Sequence, residues 1–454
     1  MKFGIFYEHQ LPRPWDSSSE YQLLQDALEQ VELADRLGIQ YLWEVEHHFL
    51  EEYSHSSAPE VFLAAASQRT TNIRLGHGII QTAPGYNHPV RTAERVATLD
   101  LLSGGRVEFG SGESSSEAEL GGFGVDMMTK REAWLEGLEV AIRCLTEEPF
   151  TGHEGTFCSV PPRNVVPKPM QRPHPPLWVA CSRRDTILMA AEKGLGALTF
   201  AFIDPEEAEQ WVGDYTRVMA EQCVPVGRAV NPNIACVTPM MCHPDEERAI
   251  AMGLEGGNFF GYSLAHYYIF GEHVPGETDV WQEFQHKRAE HGYDPAVAVA
   301  AQRETLGAKV AEGDTSGLRG AVGTPDQIRE FLRRYEEAGV DQLIFVMQAG
   351  RNTHEDICES LERFGTEILP EFVERDEVNQ AARDAKWAPI IDAAMQRRVD
   401  DAPPMPEGYS MKAFPKQIVE AGMGKEFGFE EEQLDDLARR QAIGERDSDA
   451  GILG

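Results

Sequence analysis

The stretch Tyr41-Leu42-Trp43-Glu44-Val45-Glu46-His47-His48-Phe49 begins as an apolar strand and ends in two carboxylates and two imidazoles. Charged side chains are seldom fully buried unless paired, so their concentration at a strand's end marks an open, chemically active mouth. Imidazole is the side chain whose unperturbed pKa lies near neutrality, which makes His47 the first candidate for a catalytic base. Side chains alternate along a strand, so His47 and His48 point opposite ways, and parity alone does not say which faces the pocket. The rival is a metal site using Glu46, His47 or His48 with His77 or His88. Adjacent histidines on a strand rarely share a metal, and no H-x-H, H-E-x-x-H or H-x-x-E-H pattern is present, so no metal is expected.

Two further segments have the chemistry to hold an anion. Gly110-Ser111-Gly112-Glu113-Ser114-Ser115-Ser116 follows a strand, and its small residues let backbone N–H groups and hydroxyls converge, although it is neither a P-loop nor a dinucleotide fingerprint. Cys181-Ser182-Arg183-Arg184-Asp185 ends a strand and opens a helix, so hydroxyl and guanidinium donors meet the positive end of a helix dipole. Late loops of this kind form phosphate grips in (β/α)₈ barrels, which favours the second segment. His88-Pro89-Val90-Arg91 opens a helix with proline in the first position. No G-x-S-x-G elbow is present, so serine hydrolysis is disfavoured.

The elements that must position these residues alternate regularly. Strands are expected over 3–7, 40–46, 73–80, 106–110, 177–181, 196–202, 233–241 and 341–347. Between and after them, helices are expected over 20–38, 59–70, 89–102, 129–146, 184–194, 205–222, 325–338 and 354–370. Eight β-α beats imply an α/β fold, a TIM (β/α)₈ barrel, with its active rim at the strands' C-terminal ends; a doubly wound open sheet also fits the alternation. Prolines at 161, 162, 167, 169, 173, 175 and 176 break the rhythm before strand 5 and predict an insertion over about 150–175 that crosses the rim. A second insertion, about 243–320, precedes strand 8 and is rich in aromatics (Phe259, Phe260, Tyr262, Tyr267, Tyr268, Phe270), as a lid would be. The barrel is expected over 1–375 and a polar, helical C-terminal extension over 376–454.

Composition bounds the partners. A net charge of −34 over 454 residues disfavours nucleic acid and anionic membranes, which need a basic footprint. No apolar run reaches the roughly 18 residues of a membrane span, and the N-terminus enters a strand with no signal-peptide pattern, so a cytoplasmic protein is expected. Seven scattered cysteines without a C-x-x-C pair predict free thiols.

Taken in order, Met1-Lys2-Phe3-Gly4-Ile5-Phe6, the Trp43–Phe49 run, His88-Pro89-Val90-Arg91 with Glu94 and Asp100, Ser103-Gly104-Gly105-Arg106, Phe109-Gly110, Phe123-Gly124-Val125-Asp126 and Val322-Gly323-Thr324-Pro325 resemble the bacterial luciferase-like, flavin-dependent monooxygenases. The resemblance spans residue 1 to about 372. It implies a TIM barrel, usually a homodimer in this family, that binds reduced FMN at the rim; with no dinucleotide fingerprint at a strand–helix junction, a separate flavin reductase is expected to supply that FMN. The flavin would react with O₂ to a C4a-hydroperoxyflavin and oxygenate a small organic substrate. By the same resemblance, His47 is the catalytic base and His88 a second pocket histidine. Phe6 lies beside the flavin ring, and Gly78-Ile79 falls where the family has a non-proline cis peptide, a bond that costs about 3–4 kcal/mol and that glycine eases. Arg131 and Cys181-Ser182 are matched to the flavin phosphate. Glu113 departs from the family, standing where luciferase has a phosphate-binding arginine, and Ser114, Ser115 and Ser116 are expected to compensate. The alternatives are an F420-dependent oxidoreductase on the same barrel, a non-catalytic flavin-binding relative and, third, a metal-dependent hydrolase.

Overall fold

In the computed structural model of the chain, residues 1–199, 203–291 and 320–399 are described, together with 402–412, 417, 430 and 432–440. Eight parallel strands form a ring: β1 (Lys2–Tyr7), β2 (Tyr41–Glu44), β3 (Arg74–His77), β4 (Val107–Gly112), β5 (Leu177–Cys181), β6 (Gly196–Thr199), β7 (Ile234–Cys242) and β8 (Gln342–Val346). Each strand pairs with the next, and β8 pairs back onto β1 with Lys2 opposite Gln342 and Phe6 opposite Val346. The ring is the expected TIM barrel, and its closure excludes the open doubly wound sheet.

Strand alternation sorts the core into two layers. Phe6, Tyr41, Trp43, Val45, Trp178, Leu198, Val237, Ile344 and Val346 fill the lumen. Their neighbours Phe3, Ile5, Tyr7, Leu42, Leu75, Phe109, Val179 and Cys181 face the surrounding helices. Those helices start and stop where local chemistry directs. Gly38 ends Ser19–Leu37 at φ 88°, a left-handed position that glycine occupies without strain. Thr324 and Gln327 cap Pro325–Glu337 reciprocally, with proline in the first turn.

Three expectations are corrected. The proline-rich insertion does not cross the catalytic rim. It joins the helix Lys130–Thr146 to the start of β5, so it lies at the strands' N-terminal ends, where Gln171 bonds Asp100 and the Val107 carbonyl and Lys168 bonds the Cys144 and Glu147 carbonyls. The strand expected over 73–80 stops at His77. The Gly78 N–H then donates to the Glu44 carbonyl at 2.6 Å, and pairing resumes at Ile80–Gln81 against Ser111 and Gly112. The break expected at 376 falls inside the helix Leu369–Arg397, whose Trp387 and Ala394 are buried, and the first compact unit runs Met1–Ala402, with Pro403–Gly454 as the second.

The second insertion does reach the rim. Glu246–Ala265 is a helix, His266–Phe270 a widened π turn and Val280–His291 a further helix; the remainder of that insertion, 292–319, lies outside the described residues. Ala321–Gly323 then pairs with the end of β7. Among the described residues, no helix is long and apolar enough to cross a membrane.

Candidate active site

Parity settles which histidine faces inward. The alternation that sends Tyr41, Trp43 and Val45 into the lumen places His47 on the cleft, while His48 turns outward to Glu46 (3.2 Å) and the Phe123 ring. Glu46 is occupied structurally: it accepts from the Gln81 N–H at 2.7 Å and from Asn87, tying down the neighbouring loop.

The cleft sits at the C-terminal rim and is lined by Glu8, Val45, His47, Tyr53, Gly78, Ile79, Gln81, Ser114, Ser115, Ala180, Ser182, Phe260 and Tyr268, among others. Among the described residues, the four non-glycine residues with positive φ are His9, Phe49, Glu51 and Ser114, all in loops after β1, β2 and β4. Backbone strain of this kind gathers where surrounding structure holds a functional geometry.

His47 is clasped by two carboxylates. Its Nδ1 lies 3.0 Å from Glu119 Oε1, and its Nε2 lies 3.5 Å from Glu8 Oε2. Glu119, in the short helix Glu117–Phe123, also accepts from the His48 N–H at 3.0 Å and the Ser114 hydroxyl at 2.8 Å. Burial pushes Glu119 up, but His47 and these donors outweigh it and hold the carboxyl below its ordinary range. Burial disfavours the imidazolium, yet Glu8, Glu119 and Glu46 overcome that and raise His47 to about 9. The two carboxylates thus favour the protonated imidazole, the form that donates a proton.

Lid residues close the cleft from above. The Tyr268 hydroxyl reaches to 3.4 Å from His47 Nδ1, and Phe260 packs on Tyr53. The lid is held down by two successive carboxylates in the loop after β2: Glu51 accepts from the Gly276 N–H and faces His273, while the fully buried Glu52 accepts from the Val280 and Trp281 N–H groups.

Basic residues stand behind the serine loop that lines the other side of the cleft. Lys130 bonds the Ser114 carbonyl and Ser115 hydroxyl. Burial depresses its ammonium, Glu113 counters this, and the nearby Arg131 and Arg183 add to the depression. Arg131 is engaged with Glu113 at 2.9 Å, so the carboxylate that would repel an anion is neutralised within the protein.

These residues fit a flavin mononucleotide. Serine hydroxyls and Lys130 suit a phosphate, while Ile79, Ala180, Phe260 and Leu264 suit a flat apolar ring. A Cβ at Gly112 would meet the Ile79 side chain at 2.5 Å, so a larger residue there would push Ile79 aside.

The luciferase-like monooxygenase family profile matches residues 1–342. The chain belongs to this family. The enzyme is accordingly an oxidoreductase of the monooxygenase type. It is 26% identical to the oxygenase component of the flavin-dependent trigonelline monooxygenase of Acinetobacter baylyi, over 82% of this chain and 96% of that one. A monooxygenase from Streptomyces bottropensis has a similar structure, with TM-score 0.63, 25% identity and coverage of 82% and 100%. The coenzyme F420-dependent tetrahydromethanopterin reductase of Methanopyrus kandleri shares the fold at TM-score 0.56 and 22% identity, with coverage of 82% and 99%.

Within this luciferase-like monooxygenase, His47, Gly78, Ile79, Ser115 and Ser182 gather on one cleft. Phe6 packs in the lumen beneath, 3.6 Å from where a Gly78 Cβ would lie. Four expected residues stand elsewhere or are otherwise engaged. His88 is exposed and caps its own helix by accepting from the Val90 N–H. Parity turns the Cys181 thiol away from the lumen into the outer core. Ser116 is buried behind the loop as the N-cap of Glu117–Phe123, and Arg131 is committed to Glu113. Among the described residues, the Gly78-Ile79 bond is not among the cis peptides, which all precede proline; the Gly78 N–H donates to the Glu44 carbonyl and the Ile79 carbonyl accepts from the Glu46 N–H.

Sequence reasoning missed Glu8, Tyr53, Glu119 and Lys130. Glu8 had a signal, lying two residues beyond the lumen-facing Phe6. Glu119 had little, since Gly121-Gly122 disguises its helix. Among the described residues, the His, Cys and carboxylate group close enough to share a metal is Glu136 of the helix Lys130–Thr146 with His153 and Cys158 of the first insertion.

Proposed function

We propose that this enzyme is the oxygenase half of a two-component system. It takes reduced FMN from a separate flavin reductase and, with O₂, oxygenates a small organic substrate. The observation that carries the reading is one cleft that brings His47, held between Glu8 and Glu119, together with Ser115 and Ser182, with Lys130 bonded to the Ser114 carbonyl and the Ser115 hydroxyl behind it. The oxygenase-component relative supports the separate reductase.

Bound reduced flavin supplies the electrons that activate O₂. Lys130 and Ser115 would hold its phosphate, with Ser182 also on the cleft. Ile79, Ala180 and Leu264 flank the ring and keep water out, which matters because solvent protons divert oxygen chemistry to peroxide. Tyr268 closes over His47, and Glu119 fixes the imidazole so that the Nε2 proton points into the cleft. Val61, Leu101, Leu102, Val166 and Met170 expose apolar surface on neighbouring helices and the insertion, which supports a homodimer; a monomer in solution would remove that part.

The test is turnover with reduced FMN plus O₂ against anaerobic turnover with reduced F420. Oxygen-dependent product with FMN, lost in His47→Ala while FMN binding persists and peroxide is released, is expected. Oxygen-independent hydride transfer with F420 would overturn the reading.

A further inference from the structure

The group nearest His47 Nε2 is Glu8, and its place is not explained by packing. It leaves β1 two residues after Phe6, on the same inward parity, and its side chain is only 2% exposed. Glu8 Oε1 accepts the Tyr53 hydroxyl at 2.9 Å. Oε2 is buried, has no hydrogen-bond partner, and stands 3.5 Å from His47 Nε2 on the wall of the cleft. Buried carboxylate oxygens are normally satisfied, so an unpaired one beside a proton-bearing nitrogen calls for a role.

We propose that Glu8 is a positioning residue for the cleft's proton, exchanging it with His47 Nε2, so that Glu119, His47 and Glu8 work as a carboxylate–imidazole–carboxylate relay. The exchange is a proton transfer alone. The Nε2–H bond breaks, leaving its pair on nitrogen, an Oε2–H bond forms, and imidazolium plus carboxylate become imidazole plus carboxylic acid. Glu119, satisfied by three donors, holds the Nδ1 side; the asymmetry between a satisfied and an unsatisfied carboxylate gives the relay its direction.

The surrounding charges agree. Glu8 faces His47, Tyr53, Glu44 and Glu119; burial raises it to about 7, with Glu44 and Glu119 adding to the rise and His47 and Tyr53 opposing it. His47 faces Glu8, Glu119, Glu46, Tyr268 and Tyr53, and holds its proton to about 9. Glu44 is itself paired with His9 and Ser56. The pair therefore carries one proton between about pH 7 and 9 and takes a second below that range.

This relay rests on the oxygenase reading for its use, but its test does not need flavin. Histidine-labelled, cofactor-free protein is titrated by ¹⁵N NMR, with His47 assigned by the signal lost in His47→Ala. In Glu8→Gln, loss of one adjacent carboxylate should lower the His47 titration by about 1–3 units. Glu8→Asp should restore most of it. Tyr53→Phe, which removes a donor from Glu8 without changing any charge, should move the limb near pH 7 upward and so provides a second route if Glu8→Gln folds poorly. In the flavin-loaded enzyme, the acid limb of the oxygenation pH profile should disappear in Glu8→Gln. A His47 titration unmoved in Glu8→Gln, or a limb unmoved in Tyr53→Phe, overturns the relay. A shifted His47 in a protein that binds no FMN would instead sink the oxygenase reading and leave the proton pair standing.

Discussion

Glu52→Gln tests whether the lid is held by the carboxylates of the loop after β2. Glu52 is fully buried, and its two oxygens accept three backbone N–H groups: Arg13 at 2.8 Å, Trp281 at 3.2 Å and Val280. An amide of the same shape keeps one acceptor oxygen and turns an NH₂ toward the others. At least one buried N–H is left unsatisfied, at about 1–3 kcal/mol. Because two of the three donors belong to the lid, the penalty falls on the closed state, and the opening equilibrium should rise roughly 5- to 150-fold. Hydrogen exchange followed by mass spectrometry should show Val280, Trp281 and the following turn exchanging faster by that factor, while the barrel strands are unchanged. Peroxide release per FMNH₂ consumed should rise in parallel, as Tyr268 spends less time over His47. Unchanged exchange in Val280–His291 at unchanged global stability would refute the argument.

Two further outcomes follow from the charge map. Lys130→Gln should weaken FMN binding about 10- to 100-fold, the worth of a charge-assisted hydrogen bond, while leaving riboflavin affinity unchanged; equal losses for both would detach Lys130 from the phosphate. Glu119→Gln should lower stability near neutrality by about 1–3 kcal/mol. Glu119 is depressed in the fold, so its contribution is present above the ordinary carboxylate range and lost as pH falls through its folded value. His47 is raised, so its share is present below the unfolded value and lost as pH rises through about 9. Urea midpoints of variant and parent should therefore converge at both acid and alkaline extremes, and a gap independent of pH would contradict this.

Much of the barrel was legible because each element announces itself locally. Among the described residues, each of the eight strands overlaps an apolar run that predicts it, and Gly38, Pro89, Thr324 and Pro325 mark helix ends by their own chemistry. What misled was a connection whose composition was plain but whose side was not. Prolines over 161–176 reveal an irregular segment, yet the side of the barrel is fixed by connectivity: a chain running from a helix to the next strand returns to the strands' N-terminal ends. The 376 boundary failed because polarity rises along the outer helix Leu369–Arg397 before the helix stops packing, and Trp387 remains buried.

The site was half legible for a different reason. His47 could be found from its own surroundings, but its protonation state could not, because the groups that set it come from distant places in the chain. Glu119 lies 72 residues away and Tyr268 lies 221 away; only ring closure and the lid bring them to one imidazole. A lone histidine at a strand's end reads as a base because its free pKa is near neutral, and two buried carboxylates push that pKa upward. The same logic applies at the phosphate end. Glu113 read in isolation argues against an anion, whereas Glu113 is bonded to Arg131, with Lys130 close by. In both places the residue types were visible in sequence, and the sign of their effect came from pairing, which the fold supplies.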